Sequence, residues 1–315
     1  MLSRVAESIY WIGRFLERAE DTARLINVNT NLMLDLPKGI ALGWDPLIRI
    51  MGCQAAYAER HGDEVTERRV VNFLISDESN PGSILSTLGY ARENARTIRE
   101  ILPREAWEEL NAFYHQVTDS KQTSYARQGR HDYLSLIIRG IQQHIGLLAG
   151  AMNHDTAYHF LNLGRKLERA DMTTRILNVK SENPIPEDAL ELHPFEDVLW
   201  MSMLESLSAY QMYRQSMQVR ISRTAVLTFL FCRAEFPRSL TYCTENIAYN
   251  LSCLPNNSET LSILRHIDRV IADAPMSEMN DSSLHTFIDQ LQICLGYLHE
   301  SIAETYFPKL NKEVA

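Results

Sequence analysis

Two arginines and a glutamate in the order Arg-x-x-Glu-Arg occur twice in this chain. Arg14, Glu17 and Arg18 lie in "GRFLERAEDTARLINV" (residues 13–28), and Arg165, Glu168 and Arg169 lie in "GRKLERADMTTRILNV" (residues 164–179). Steps of three and four residues put each triplet on one helix face. Guanidinium forks suit carboxylates and phosphates, and a glutamate can pair with them or act as a base. Two arginines per glutamate leave a positive charge. It must meet another carboxylate, backbone carbonyls or an anionic ligand. Glu20 with Arg24, and Asp171 with Arg175, are spaced i,i+4 in the favourable orientation. They read as surface or secondary pairs worth about 0.2–0.5 kcal/mol each.

The neighbours of the triplets argue against plain solvation. Tyr10, Leu25 and Val28 share the sector of the first triplet, and Leu161, Met172, Ile176 and Val179 share that of the second. Met172 stands where the first copy has Asp21. The pattern predicts charges partly buried and paired, with a solvated face as the alternative. In the buried case, removing one partner costs about 3–5 kcal/mol; in the exposed case, about 0–1 kcal/mol. A third outcome is a cleft in which arginine holds an anionic substrate and glutamate takes its proton, as acyl or aminoacyl transfer would need.

Other chemistry is sparsely represented. No GxxxxGK[ST] loop is present, so no nucleotide cofactor is expected. No Glu-x-x-His pair points to a metal in a helical bundle. The nearest pairings are His285 with Asp289 and His299 with Glu300. Asp132 and Asp155, in "RHDY" and "NHDT", read as helix-start residues. The five cysteines lack CxxC spacing and read as reduced, mostly buried residues, Cys232 included. Met201, Met203, Met212 and Met217 read as core, or as an adaptable partner groove with Arg214, Arg220 and Arg223 beside it.

The elements that must carry these residues are helical. Val5, Ile9, Ile12, Leu16, Ala19, Ala23 and Ile26 recur at alternating three- and four-residue steps, and Pro37 with Gly39 reads as the end of that first helix. Further helices are predicted at 44–60, 64–76, 82–101, 104–119, 131–150, 154–182, 195–219, 222–233, 237–253, 258–273 and 282–306, divided by turns such as "NPG", "NPIPED" and "FPRS". No useful strand alternation occurs, so the class is all-α. The two phrases agree at ten of sixteen positions. Trp44 and Tyr57 recur as Trp200 and Tyr213, and "FLISDESNPGSI" (73–84) recurs as "FLFCRAEFPRSL" (229–240). The expectation is an internally duplicated helical bundle: a first repeat at 1–150, a second at 151–315, and pseudo-twofold packing within one compact body.

Composition sets the outer bounds. The 315 residues are 45% apolar and 23% charged, as in a globular protein. A net charge of −9 disfavours nucleic acid and anionic membranes as partners. No apolar run is long enough to span a bilayer, and the N-terminus carries charges throughout, so a cytoplasmic location is expected.

The "GRxLERAxxTxR" phrases, with Glu17–Arg18 and Glu168–Arg169, resemble the signature of the alpha-E family across essentially the whole chain. The resemblance implies an all-helical bacterial domain without an established activity, encoded beside or fused to ATP-grasp amide ligases, with transglutaminase-like proteases nearby. It thereby implies an ATP-grasp-type ligase as protein partner, a peptide-like substrate, and a part in making or modifying peptides. A purely structural oligomer component is the remaining reading.

Overall fold

The computed structural model describes residues 2–35, 43–182, 196–218 and 220–307. Pro37, Gly39 and the "NPIPED" turn lie outside the described residues. Within them the chain forms fourteen α-helices and no strand: α1 (Ser3–Asp35), α2 (Asp45–Ile50), α3 (Gln54–His61), α4 (Glu67–Ile75), α5 (Ile84–Thr97), α6 (Arg104–Asp119), α7 (Arg127–Ala151), α8 (Thr156–Glu182), α9 (Glu196–Ser206), α10 (Tyr210–Met217), α11 (Arg223–Cys232), α12 (Leu240–Ser252), α13 (Ser258–Ala272) and α14 (Asp281–Tyr306). A single 3₁₀ segment, Lys121–Tyr125, precedes α7.

Local chemistry sets several of these boundaries. Ser83 and Ser239, from "NPGS" and "FPRS", accept hydrogen bonds from the backbone N–H groups of Ser86 and Tyr242 and so start α5 and α12. Asp155 accepts from the Ala157 N–H at 2.9 Å at the start of α8. α7, in contrast, begins at Arg127, which puts His131 and Asp132 inside the helix.

Two predicted helices are each broken in two. The 44–60 segment divides at Gly52, whose φ of 64° is the left-handed conformation that glycine adopts without a Cβ penalty. The 195–219 segment divides at Ser208, whose φ of 52° has no glycine to announce it. The Met-rich stretch is therefore two short helices, α9 and α10.

The two long phrase-bearing helices lie at the centre. α1 packs against α8, α5 and α7, while α8 packs against α12 and α14. The helix before each break crosses over: α2 lies on α8, and α9 lies on α1. Ile9, Ile12, Leu16, Ala19, Ala23 and Ile26 fill the core as their spacing predicts. Because α8, α7 and the loop before α12 cover the other side, Tyr10, Glu17, Glu20 and Asp21 are buried as well. An amphipathic period thus belongs to a helix with little solvated face.

Candidate functional site

The glycine that opens each phrase sets how closely the central helices meet. A Cβ on Gly13 would collide with the carbonyl oxygen of Leu161, and one on Gly164 with that of Tyr10. The α1 and α8 backbones therefore touch one turn before the charged triplets, and each triplet lies against the other helix.

The ion pairs run across this crossing in both directions. Arg14 donates its Nε–H to Glu168 Oε2 at 2.6 Å, and Arg18 donates to both Glu168 oxygens at 2.5 and 3.1 Å. Arg169 grips Glu17 with two bonds of 2.6 and 2.9 Å, and Arg165 approaches Glu17 at 3.7 Å. Both glutamate side chains are 1% exposed. Burial works against each carboxylate, but the arginines outweigh it. Glu168 is held down at about 2 by Arg14 and Arg18, and Glu17 is held well below the ordinary range by Arg169, Arg238 and Arg165. Burial likewise opposes the charge of Arg14 and Arg169, and Glu168 and Glu17 respectively reverse the effect.

On the Glu168 side, Tyr10 and His299 extend the polar contacts: the Tyr10 hydroxyl lies 2.8 Å from His299 Nδ1. Burial, reinforced by Arg14, lowers His299 to about 4, so the ring is neutral at pH 7. Burial also raises Tyr10 to about 12.

The outer pairs form, but one of them is not at the surface. Arg24 bonds Glu20 at 2.6 Å and Arg175 bonds Asp171 at 2.8 Å. Glu20 is nevertheless buried, because Gln142 of α7 donates to it at 3.2 Å and Arg238 approaches it at 3.4 Å. Asp21 is buried against Arg238 Nη1 at 2.5 Å. Arg238 is the residue that sequence reasoning missed. Its loop is pinned to α8 by the Thr173 hydroxyl, which reaches its carbonyl at 3.0 Å, and by Arg169, which donates to the Pro237 carbonyl at 3.3 Å. A signal was present: "FPRS" has Arg238 where "NPGS" has Gly82, and the same side has Asp21 where the other has Met172.

Asp21 carries a pH prediction. Burial pushes its pKa from 3.8 up to about 7; Arg238 pulls it down, Glu17 and Glu20 raise it again, and Arg169 lowers it. Its Oδ2 has no hydrogen-bond partner among the described residues. A folded-state pKa above the unfolded one contributes stability at low pH that is lost as pH rises. Asp21→Asn is therefore expected to gain stability relative to the parent as pH rises from 3.8 through about 7. Urea denaturation across that range checks it; a pH-independent difference would contradict the assignment.

Residues 1–307 match a family described as a predicted alpha-helical domain with a conserved ER motif. The chain belongs to the Alpha-E family. Its two Leu-Glu-Arg-Ala phrases supply Glu17–Arg18 and Glu168–Arg169 to the crossing. Uncharacterized proteins of Mycobacterium bovis and Mycobacterium tuberculosis are each 22% identical to it over 96% of this chain. The chain spans 36% of the length of these curated relatives. No solved structure matches it.

The remaining candidates fall elsewhere in this Alpha-E chain. No group of three or more His, Cys, Asp or Glu residues among those described is arranged to hold a metal ion. No described helix is long and apolar enough to cross a membrane. His285 Nε2 lies 3.4 Å from Asp289. All five cysteines are free thiols, but only Cys243 and Cys294 are buried. Cys232, expected in the core, is exposed at the last position of α11. Met203 is buried and Met212 exposed, while Arg220 and Arg223 pair with Asp197 and Asp281.

Proposed function

We propose that this Alpha-E chain is a non-catalytic helical module that works beside an ATP-grasp-type amide ligase, docking that partner or presenting a peptide-like substrate to it. The observation that carries this reading is the sealing of Glu17 and Glu168. A general base needs an accessible lone pair and a pKa near the working pH. Both carboxylates are buried, engaged by arginines and held far below neutrality. That weighs against acyl or aminoacyl transfer by the motif glutamates and favours a holding role. The ligase comes from the family resemblance. The curated relatives support a partnered unit, since a region like this chain makes up only 36% of each.

The reading includes a duplicated ancestry. The helices fall into two successive runs of seven, α1–α7 and α8–α14, and each run begins with one Gly-Arg-x-Leu-Glu-Arg-Ala phrase. A pseudo-twofold axis through the Gly13–Gly164 crossing accounts for the reciprocal ion pairs.

Crosslinking and purification of the chain from its native cell tests the partnership. The expected result is specific recovery of an ATP-grasp ligase. Recovery of the chain with no ligase or peptide-modifying protein would overturn the reading.

A further inference from the structure

The two sides of the crossing are not equivalent. Beside Glu17 a cleft of about 230 Å³ opens to solvent, lined by Arg24, Arg165, Arg169 and Arg238 together with Gln142 and Ser208. Glu20 also contributes to the wall. Four arginines here meet three carboxylates, Glu17, Glu20 and Asp21. One positive charge is left without a partner, and more than one whenever Asp21 is protonated.

Arg165 is where that deficit is concentrated. Its Nε is buried with no hydrogen-bond acceptor among the described residues, and its ion pair with Glu17 is the long one at 3.7 Å. Burial disfavours its charge; Glu17 supports it, and Arg169 works against it. The other three are already oriented: Arg24 by Glu20, Arg169 by Glu17 and the Pro237 carbonyl, and Arg238 by Asp21. Oriented guanidinium groups around an under-compensated one form an oxyanion receptor whose ordering cost is met in advance.

Sequence correspondence shows what distinguishes this side. Arg238 stands where "NPGSI" has Gly82, and Asp21 where the second phrase has Met172. Ser208 follows Trp200 at the interval at which Gly52 follows Trp44. Arg175 Nη1 lies 2.8 Å from where a Cβ on Gly52 would be. The Arg24 side instead carries a serine in the left-handed conformation in the cleft lining. Strain of this kind gathers at binding sites.

From this geometry we infer that the Arg24–Arg165–Arg169–Arg238 cleft binds a small oxyanion, a carboxylate or phosphate group carried by a soluble ligand. The inference stands on the chemistry of the cleft and does not depend on a ligase partner.

Calorimetric titration of the whole chain at low chloride, with glutarate and inorganic phosphate as separate probes, tests it. Saturable one-to-one binding is expected, tighter for glutarate if the natural group is a carboxylate and for phosphate if it is a phosphoryl group, and weaker as salt rises. Arg165→Gln removes a cation that makes no hydrogen bond through its buried Nε, and it is expected to weaken binding by about tenfold or more with the melting temperature retained. Ser208→Asp places a carboxylate in the cleft lining on a residue type that tolerates positive φ, and it is expected to do the same while leaving every arginine and carboxylate of the cluster in place. Absence of saturable binding with both probes, or parental affinity in folded Ser208→Asp, would overturn the inference.

Discussion

Glu168→Ala is expected to lower the unfolding free energy by about 3–5 kcal/mol, the range for stranding a buried ionic partner. The effect should be large because Glu168 is the carboxylate that both Arg14 and Arg18 bond, and the Arg14 side chain is only 10% exposed. Glu17→Ala should be milder. Arg169, Arg165 and Arg238 would keep Glu20 and Asp21 as neighbouring carboxylates. A surface reference is available in Arg104 and Glu108, both more than half exposed, where Glu108→Ala should change stability by no more than about 1 kcal/mol. Urea titrations with an unchanged slope separate lost stability from altered compactness. The two motif pairs also give an acid limit. Depressed carboxylate pKa values contribute stability above the unfolded value of 4.5 that disappears as pH falls toward about 2.

Gly13→Ala and Gly164→Ala are expected to act on the same crossing through sterics. Alanine normally stabilises a helix interior by about 1 kcal/mol relative to glycine. At these two positions the sign should reverse. The added methyl meets a backbone carbonyl of the facing helix, with Arg165 and Arg14 side-chain atoms alongside. A backbone cannot rotate aside as a side chain does, so α1 and α8 must separate and the short ion pairs must lengthen. Overpacking typically costs about 1–3 kcal/mol, occasionally more, and weakened pairing adds to it. Gly146 and Gly150 on α7 are the internal controls, since nothing lies within 4 Å of a Cβ at either. Alanine there should be neutral to stabilising. Melting temperatures of the four variants test the contrast.

Much of this architecture is legible in residue spacing. The apolar stripe of α1 and the serine starts of α5 and α12 follow from local rules that a sequence displays directly. The helix breaks at Gly52 and Ser208 show where legibility ends. Glycine in a left-handed turn is a recognisable cue, whereas the same turn at serine carries none. The motif shows the same divide. Apolar residues sharing its face pointed to partial burial, but the partners lie roughly 150 residues away, and no local pattern says that Glu17 meets Arg169 and not Arg18. Glu20 reads as a surface residue because a single helix reveals its own two faces but not the residues, Gln142 and Arg238, that other elements bring against it. Arg238 was accessible only by comparing the two halves, where an arginine and an aspartate appear together on one side and a glycine and a methionine on the other.

The central claim is that the Glu–Arg motif clamps α1 to α8. A double-mutant cycle on Arg14 and Glu168, using Arg14→Ala, Glu168→Ala and the double variant, tests it most directly. The cycle isolates the pair from the desolvation that each residue suffers alone. A buried bond of 2.6 Å across two helices predicts a coupling of about 2–3 kcal/mol. A coupling below about 0.5 kcal/mol, the level of an exposed pair, would contradict the clamp.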